Sequence, residues 1–230
     1  MDAGVLAVEN SVAGGVDAAY DALADARELH AIAEAIMEIR QCLAGIEGAA
    51  LQEIELVESH PIALAQCSIF LGGLQRARQQ ATPDTAGAAR AVAESRDRRH
   101  AAVCSRKAAA RYGLAILADR IEDRPDNQTR FLAVARNATV VEDRTPARTS
   151  VVFEPANKPG ALLRALEPIA KQELNLSRLE SRPAGPPWTY RFFADVDHEA
   201  GDRRIEAAIA ALTQVTRTCR ILGTYARAHS

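Results

Sequence analysis

The chain of 230 residues is long enough for one large domain or two small ones. Its 48% hydrophobic and 25% charged residues are typical of a soluble globular protein. With only 4% aromatic residues and a net charge of −2, it lacks both a base-stacking platform and a basic footprint, so we expect no nucleic-acid partner.

The first 136 residues alternate short apolar strands with helices. Strands are predicted at residues 5–8, 53–57, around 81, 101–104 and 131–134. Helices are predicted at residues 13–24, 61–74, 85–93 and 105–112. This order favours a largely parallel sheet with helices packed on it.

Small polar residues occupy three strand-to-helix junctions of this region, at Ser59, at Asp84-Thr85 and at Ser105. Each is an expected helix cap, and capping alone explains each one. Such junctions line the crevice beyond the strand ends of an open α/β sheet, where ligands bind. Several helix N-termini converging there would suit a polyanion.

Residues 137–149 are polar, contain Pro146 and are predicted to be a linker. Residues 150–230 then follow a βαββαβ order. Strands are predicted at 150–154, 174–181, 188–196 and 218–225, with helices at 160–173 and 202–212. This order predicts a four-stranded antiparallel sheet with both helices on one face. Edge strands of such units commonly pair across a two-fold axis, so we expect a homodimer or homotetramer.

The four cysteines are far apart in the sequence and show neither a Cys-x-x-Cys pair nor metal-ligand spacing. We therefore expect no metal and no cofactor. The first residues lack the basic and apolar regions of a signal peptide, and no apolar run has membrane-spanning length. The expectation is a cytoplasmic protein with reduced thiols and no membrane partner.

Ordered motifs along the chain resemble a known family. They are Glu9-Asn10-Ser11 followed by Gly14, Ser59-His60-Pro61 followed by Gln66-Cys67, Asp84-Thr85-Ala86, Tyr112-Gly113-Leu114 and Thr129-Arg130-Phe131. This set resembles the catalytic domain of prephenate dehydratase. Near the C-terminus, Gly160-Ala161-Leu162-Leu163 and Glu180-Ser181-Arg182-Pro183 are similar to the two phenylalanine-site motifs of its ACT regulatory domain.

The resemblance implies an α/β fold with two parts. Residues 1–136 would form a two-lobed catalytic domain like the type II periplasmic binding proteins, and residues 150–230 a ferredoxin-like ACT domain after the linker at 137–149. The chain departs from the family pattern in lacking the glycine-rich opening segment, so the catalytic domain is expected to be truncated at its N-terminus. Ile62 also stands where the family usually has Gln.

The resemblance further implies decarboxylative dehydration of prephenate to phenylpyruvate, a step of L-phenylalanine biosynthesis. Thr129 would hydrogen-bond and relay a proton to the leaving hydroxyl, and Asn10, Ser59 and Gln66 would position the substrate through neutral donors. Further substrate contacts are expected from Glu9, Ser11, His60, Thr85, Ser105, Arg130 and Phe131.

Three of these residues have structural alternatives. Arg130 could point outward to pack or pair, His60 beside Pro61 is more often structural than catalytic, and Glu9 could be a buried partner that holds its strand.

For regulation, the resemblance implies that L-phenylalanine binds between two subunits. Gly160, Ala161, Leu162 and Leu163 would come from one subunit, and Glu180, Ser181 and Arg182 from its partner. Backbone amides of the helix start suit the carboxylate, and a leucine side chain suits the ring. The alternatives are a strand-end surface charge for Arg182 and a fold-holding ion pair for Glu180.

Two other functions stay open, and a third is disfavoured. An arogenate dehydratase would act on the amino-acid analogue of prephenate, and a catalytically impaired phenylalanine sensor would retain only the ACT function. A two-lobed solute-binding protein is disfavoured because it would leave the ACT motifs unexplained.

Overall fold

The structure is a computed structural model that describes residues 3–138 and 140–228; residue 139, inside the predicted linker, and the two residues at each chain end lie outside the described part. The strands are β1 (Ala3–Asn10), β2 (Gly14–Gly15), β3 (His30–Glu38), β4 (Cys42–Gly45), β5 (Leu56–Ser59), β6 (Arg78–Ala81), β7 (His100–Cys104), β8 (Ala115–Asp119), β9 (Gln128–Ala135), β10 (Pro146–Glu154), β11 (Asn175–Pro183), β12 (Tyr190–Glu199) and β13 (Thr218–Ala226). The helices are α1 (Asp17–Asp25), α2 (Pro61–Ala65), α3 (Ser68–Gly72), α4 (Thr85–Ser95), α5 (Arg106–Arg111), α6 (Ala161–Lys171) and α7 (Arg203–Val215).

The chain divides into two compact units, which are described separately. We call residues 11–13 and 38–128 the five-stranded unit. The described parts of residues 1–10, 14–37 and 129–230 form the second unit, which we call the two-sheet unit.

The sheet of the five-stranded unit has the order β6-β5-β7-β4-β8. β5 runs parallel to β6 and β7, whereas β4 runs antiparallel to β7 and β8. The prediction of a largely parallel sheet therefore holds for three strands only. β4 was not predicted, because its four residues are all buried and carry no alternation of polar and apolar positions.

The single helix predicted at residues 61–74 is wrong, since α2 ends at Ala65 and α3 starts at Ser68. The side chain of Asp123, far along the chain, accepts hydrogen bonds from the backbone N–H groups of Ser68 and Ile69, both at 3.0 Å. These bonds satisfy donors at the start of a second helix, and local sequence does not reveal such a distant cap.

The two-sheet unit contains an N-terminal sheet of order β2-β1-β9-β3 and a C-terminal antiparallel sheet of order β11-β12-β10-β13. The four-stranded antiparallel βαββαβ arrangement is as predicted. β10 already begins at Pro146, so the predicted linker at 137–149 is too long at its C-terminal end. The helix predicted from residue 13 begins at Asp17, because Gly14 and Gly15 pair with β1.

Both faces of the C-terminal sheet are covered. On one face Phe153 and Ala194 pack with Ala165 of α6 and Leu212 of α7. On the other face the core includes Tyr20 and Leu23 of α1, Val8 of β1, Leu132 and Val134 of β9, and Phe193, Leu222 and Tyr225 of the C-terminal sheet. In the described part of the chain no helix is long and apolar enough to cross a membrane.

Candidate functional site

Asn10 and Thr129 lie opposite each other on the antiparallel strands β1 and β9. The Asn10 side-chain amide donates a hydrogen bond to Thr129 Oγ1 at 3.0 Å. A bulge at Val8 sets this register, since Ala7 pairs with Phe131 but Glu9 pairs with Arg130. Without the extra residue the pairing would slip by one position, and Asn10 would not stand opposite Thr129.

Arg130 points to the opposite face of the sheet from Thr129, because successive strand residues alternate. Its guanidinium donates to Glu34 at 2.8 Å, to Asp195 at 2.6 Å and to the Tyr225 hydroxyl at 2.8 Å. Arg130 is 8% exposed. Burial opposes its charged form, but the nearby Asp195 carboxylate keeps the pKa of Arg130 above its usual range.

These contacts correct the prediction that Arg130 binds substrate. The side chain is buried in an ion-pair cluster, which is the packing and pairing alternative. Glu9 belongs to the same cluster, with its carboxylate 3.5 Å from the Arg130 guanidinium. Phe131, by contrast, lies on the same face as Thr129 and is half-buried.

In the five-stranded unit, the hydroxyl groups of Ser59 and Ser105, which were predicted to bind substrate, are used by the fold. Ser59 is fully buried and donates to the Val103 carbonyl at 2.6 Å, so its hydroxyl can only accept from a ligand. Ser105 caps α5 by accepting from the Ala108 N–H at 3.2 Å.

Of the other two junctions, one is capped by a neighbour of the expected residue and one by an expected residue, Asp84. His60, not Ser59, caps α2, because its Nδ1 accepts from the Ile62 N–H at 3.3 Å. At α4 the cap is Asp84, which accepts from the Gly87 N–H at 2.6 Å, and Thr85 is the first helical residue. The structural alternative for His60 therefore has direct support.

Ser11 holds the turn before β9. It accepts from the Gln128 N–H at 2.9 Å and donates to the Asp126 carbonyl at 3.1 Å. The proton of its hydroxyl is thus used by the backbone of the segment that leads to Thr129.

A mostly apolar cavity of about 370 Å³ lies in the five-stranded unit. Its lining residues are Val12, Ala13, Ile62, Ala65, Gln66, Asp123, Arg124 and Asn127. It collects the predicted residue Gln66 together with Asn127, which is 1% exposed and was not predicted. The sequence feature that could have identified Asn127 as a site residue is its position in a polar turn, two residues before Thr129.

A second cavity, of about 160 Å³, lies at the start of α6 in the two-sheet unit. Its lining residues are Pro155, Ala156, Asn157, Lys158, Ala161, Leu162, Trp188, Thr189, Tyr190, Phe192 and Arg217. Ala161 and Leu162 were predicted to bind phenylalanine. Gly160 caps α6 at φ 72°, a left-handed conformation that favours glycine, whereas Leu163 is 73% exposed and outside the lining. Two cations and several aromatic rings suit an aromatic amino acid.

The other predicted phenylalanine residues, on β11, are not brought to this cavity within the chain. Arg182 pairs with Asp17 and with Asp21, the latter at 2.8 Å, and Glu180 pairs with Arg178. The pair of Glu180 is the structural alternative given for it, whereas Arg182 is an ion-paired cation and not the lone surface charge given as its alternative. Ser181, between them, is exposed. A contribution from a partner subunit stays a prediction.

Among the described residues no group of three or more His, Cys, Asp or Glu side chains could hold a metal ion.

Residues 1–139 match the prephenate dehydratase family and residues 149–214 match the ACT domain. The chain belongs to the prephenate dehydratase family. The resemblance drawn from the motifs is thereby confirmed.

Relatives agree with this assignment. The chain is 38% identical to arogenate dehydratase 2 of Petunia hybrida and 33% identical to the bifunctional chorismate mutase/prephenate dehydratase of Enterobacter agglomerans. These matches cover 98% and 97% of this chain and 60% and 58% of the relatives. The chain thus spans about three fifths of the length of these relatives.

Solved structures are also similar to this chain. Prephenate dehydratase from Arthrobacter aurescens, in complex with L-Phe, is 38% identical with a TM-score of 0.90, covering 98% of this chain and 75% of that one. A structure described as GqqA, a novel type of quorum quenching acylase, is 32% identical with a TM-score of 0.87, covering 98% and 82%. These neighbours confirm the predicted fold class, an α/β periplasmic-binding-protein-like domain followed by an ACT domain.

Proposed function

We propose that the chain converts prephenate to phenylpyruvate, with Thr129 as its catalytic residue. The observation that carries the proposal is the Asn10–Thr129 hydrogen bond on paired strands. Family membership and the relatives named for prephenate or arogenate dehydration support it.

The chemistry asks little of the protein beyond positioning and one proton. As the ring carboxylate leaves as CO2, its electron pair enters the ring and expels the ring hydroxyl, which needs a proton to leave as water. Thr129 accepts its hydrogen bond from Asn10, so its own proton can point towards that hydroxyl. Positioning by Ser59, Gln66 and Ser105 stays a prediction.

The test is phenylpyruvate formation from prephenate at neutral pH. Thr129→Val removes the hydroxyl but keeps the side-chain volume, and we expect kcat to fall at least about a hundredfold. Thr129→Ser keeps the hydroxyl and should retain much of the activity. Circular dichroism checks that both variants are folded. Wild-type turnover that Thr129→Val leaves unchanged would contradict the role of Thr129.

Arogenate dehydration is the second candidate, favoured by the names of several relatives. The same assay with arogenate decides between the substrates through the ratio of the two kcat/KM values. An acylated amine should be assayed as a third substrate, because the chain is similar to GqqA. Turnover of that substrate alone would overturn both dehydratase proposals.

We also propose that L-phenylalanine binds in the cavity at the start of α6 and regulates the enzyme. Lys158 and Arg217 would meet its carboxylate and Leu162 its ring. Trp188, the single tryptophan of the chain, lines the cavity, so its fluorescence reports binding.

Arg217→Ala should weaken the response of that fluorescence to L-phenylalanine, while Arg203→Ala, on the exposed surface of α7, is the matched control. Equal titration curves for the two variants would contradict the site. Light scattering with and without phenylalanine tests the expected homodimer or homotetramer.

A further inference from the structure

A buried cluster joins the Thr129 strand to the C-terminal sheet of the two-sheet unit. Arg130 donates from β9 to Asp195 on β12 and to Tyr225 on β13. Ser150 on β10 donates to Asp195 at 2.5 Å and lies 2.6 Å from the Tyr225 hydroxyl. Two strands of the C-terminal sheet, β12 and β13, therefore hold one side chain of the N-terminal sheet, and Ser150 of β10 bonds both of the residues that hold it.

The cluster lies directly behind the Asn10–Thr129 pair. Thr129 and Arg130 are consecutive on β9, and Glu9 and Asn10 are consecutive on β1, so each pair of neighbours points to opposite faces. Glu9 approaches Arg130 on the buried face, while Asn10 bonds Thr129 on the other face. Displacement of the Arg130 backbone would displace Thr129 with it.

The Arg130 side chain is held in one geometry. Nε, Nη1 and Nη2 donate to three different elements, β3, β12 and β13, and a planar guanidinium satisfies all three only in one orientation. Glu34 and Asp195 are each 1% exposed, and breaking a buried pair leaves an uncompensated charge.

We propose that Arg130 is a positioning residue for Thr129, and that Asp195 and Tyr225 of the C-terminal sheet set its position. The C-terminal sheet then helps to position the Thr129 hydroxyl, in addition to its proposed part in phenylalanine binding. The inference rests on the proposed function of Thr129.

A neighbouring ion pair provides a matched control. Asp197 lies two residues beyond Asp195 on the same face of β12 and pairs with Arg148 at 2.7 Å. Arg148 lies on β10 and also pairs with Glu34, at 3.0 Å. Asp197→Asn thus removes a similar carboxylate without touching Arg130.

The experiment compares full-length Asp195→Asn, Tyr225→Phe and Asp197→Asn in the prephenate assay. We expect kcat to fall about tenfold to a hundredfold in Asp195→Asn, and less in Tyr225→Phe, with KM within about twofold of wild type. Asp197→Asn should lower the thermal midpoint while kcat stays within about twofold. If Asp195→Asn does not fold, the milder Tyr225→Phe decides. Equal losses of kcat in the Asp195 and Asp197 variants would overturn the proposal.

The NMR signal of the Thr129 methyl group, assigned with Thr129→Val, tests the positioning without turnover. It should shift in Asp195→Asn and Tyr225→Phe and stay in place in Asp197→Asn. An unchanged signal in the first two variants would overturn the proposal. If the wild-type protein shows no turnover but the Thr129 signal still shifts in Asp195→Asn and Tyr225→Phe, the proposed function is refuted. The positioning of Thr129 by Arg130 would still stand.

Discussion

Within the two-sheet unit, the C-terminal sheet is tied to the N-terminal elements by two kinds of ion pair. We call Arg130 with Glu34, Asp195 and Tyr225 the central cluster, and the pairs of Arg182 and Arg191 with carboxylates of α1 the rim pairs. In the central cluster Glu34 and Asp195 are 1% exposed, whereas the rim carboxylates Asp17 and Asp25 are 50% and 72% exposed.

The comparison teaches that pairs of the same chemistry differ in what their loss costs. When a rim pair forms, its two charged groups lose part of their hydration and gain an attraction that salt and water screen. These two free energies nearly cancel. In the central cluster, removal of one partner strands a buried charge that water cannot reach. The central cluster therefore determines geometry, and the rim pairs add little. Four predictions for this unit are ordered from the largest expected effect to the smallest, and the first and the last test the contrast directly.

Glu34→Ala should reduce the free energy of unfolding by about 3–5 kcal/mol, because the buried Arg130 and the half-buried Arg148 lose their shared carboxylate. Urea denaturation at neutral pH measures the change. Glu206→Ala, at an exposed position on α7, is the control and should change stability by at most about 0.5 kcal/mol. Similar losses in both variants would show that the central cluster is not special.

Gly223→Ala should reduce stability by about 3 kcal/mol, since an added Cβ would overlap the backbone carbonyl oxygen of Ala31, where β13 approaches β3 closely. Gly4→Ala is the control, because its Cβ would lie at an ordinary 3.5 Å from Val134. Thermal unfolding of both variants measures the effect. A stable Gly223→Ala protein would mean that the two strands separate easily.

Asp197 should contribute stability that is lost in acid. Burial opposes its ionisation, but hydrogen bonds and charge from Arg148, with Arg227 and Ser177 also near, keep its pKa below the usual value. A lowered folded-state pKa stabilises the fold above the unfolded value, about 4, and this stability disappears as the pH falls through the folded value. Asp197→Asn should therefore flatten the acid limb of the urea midpoint plotted against pH. An unchanged acid limb would contradict the shift.

Arg182→Ala should cost about 1 kcal/mol or less, and the cost should shrink further at high salt, because its partners Asp17 and Asp21 are solvent-accessible. Urea unfolding at low and high ionic strength measures both. A loss of several kcal/mol in the free energy of unfolding that does not depend on salt would contradict the distinction between the rim pairs and the central cluster. Weaker phenylalanine binding by this variant would support the predicted role of Arg182 in a partner's site.

Much of the fold was predictable because it depends on local pattern. The C-terminal βαββαβ order follows from apolar periodicity and Pro/Gly turns within short windows, and the structure confirms its four-stranded sheet. In the five-stranded unit, β4, β8 and the break between α2 and α3 escaped prediction. Full burial hides the period of β4, and the cap of α3 comes from Asp123, distant in the chain.

The site was predictable in part. The motifs singled out Asn10 and Thr129, whereas the structure assigned Arg130 to the central cluster and made His60 a helix cap. A residue's type shows which bonds it can form, but its partner depends on which face of its strand or helix is covered.

The sequence by itself determined the family, the βαββαβ order of the C-terminal part and the residue types that carry the chemistry, because motifs and periodicity are local properties of the chain. Only the tertiary structure decided that Thr129 meets Asn10 while Arg130 turns away towards Asp195 and Tyr225. The bulge at Val8 sets that register between residues 119 positions apart, and the covering C-terminal sheet determines which face of β9 is buried.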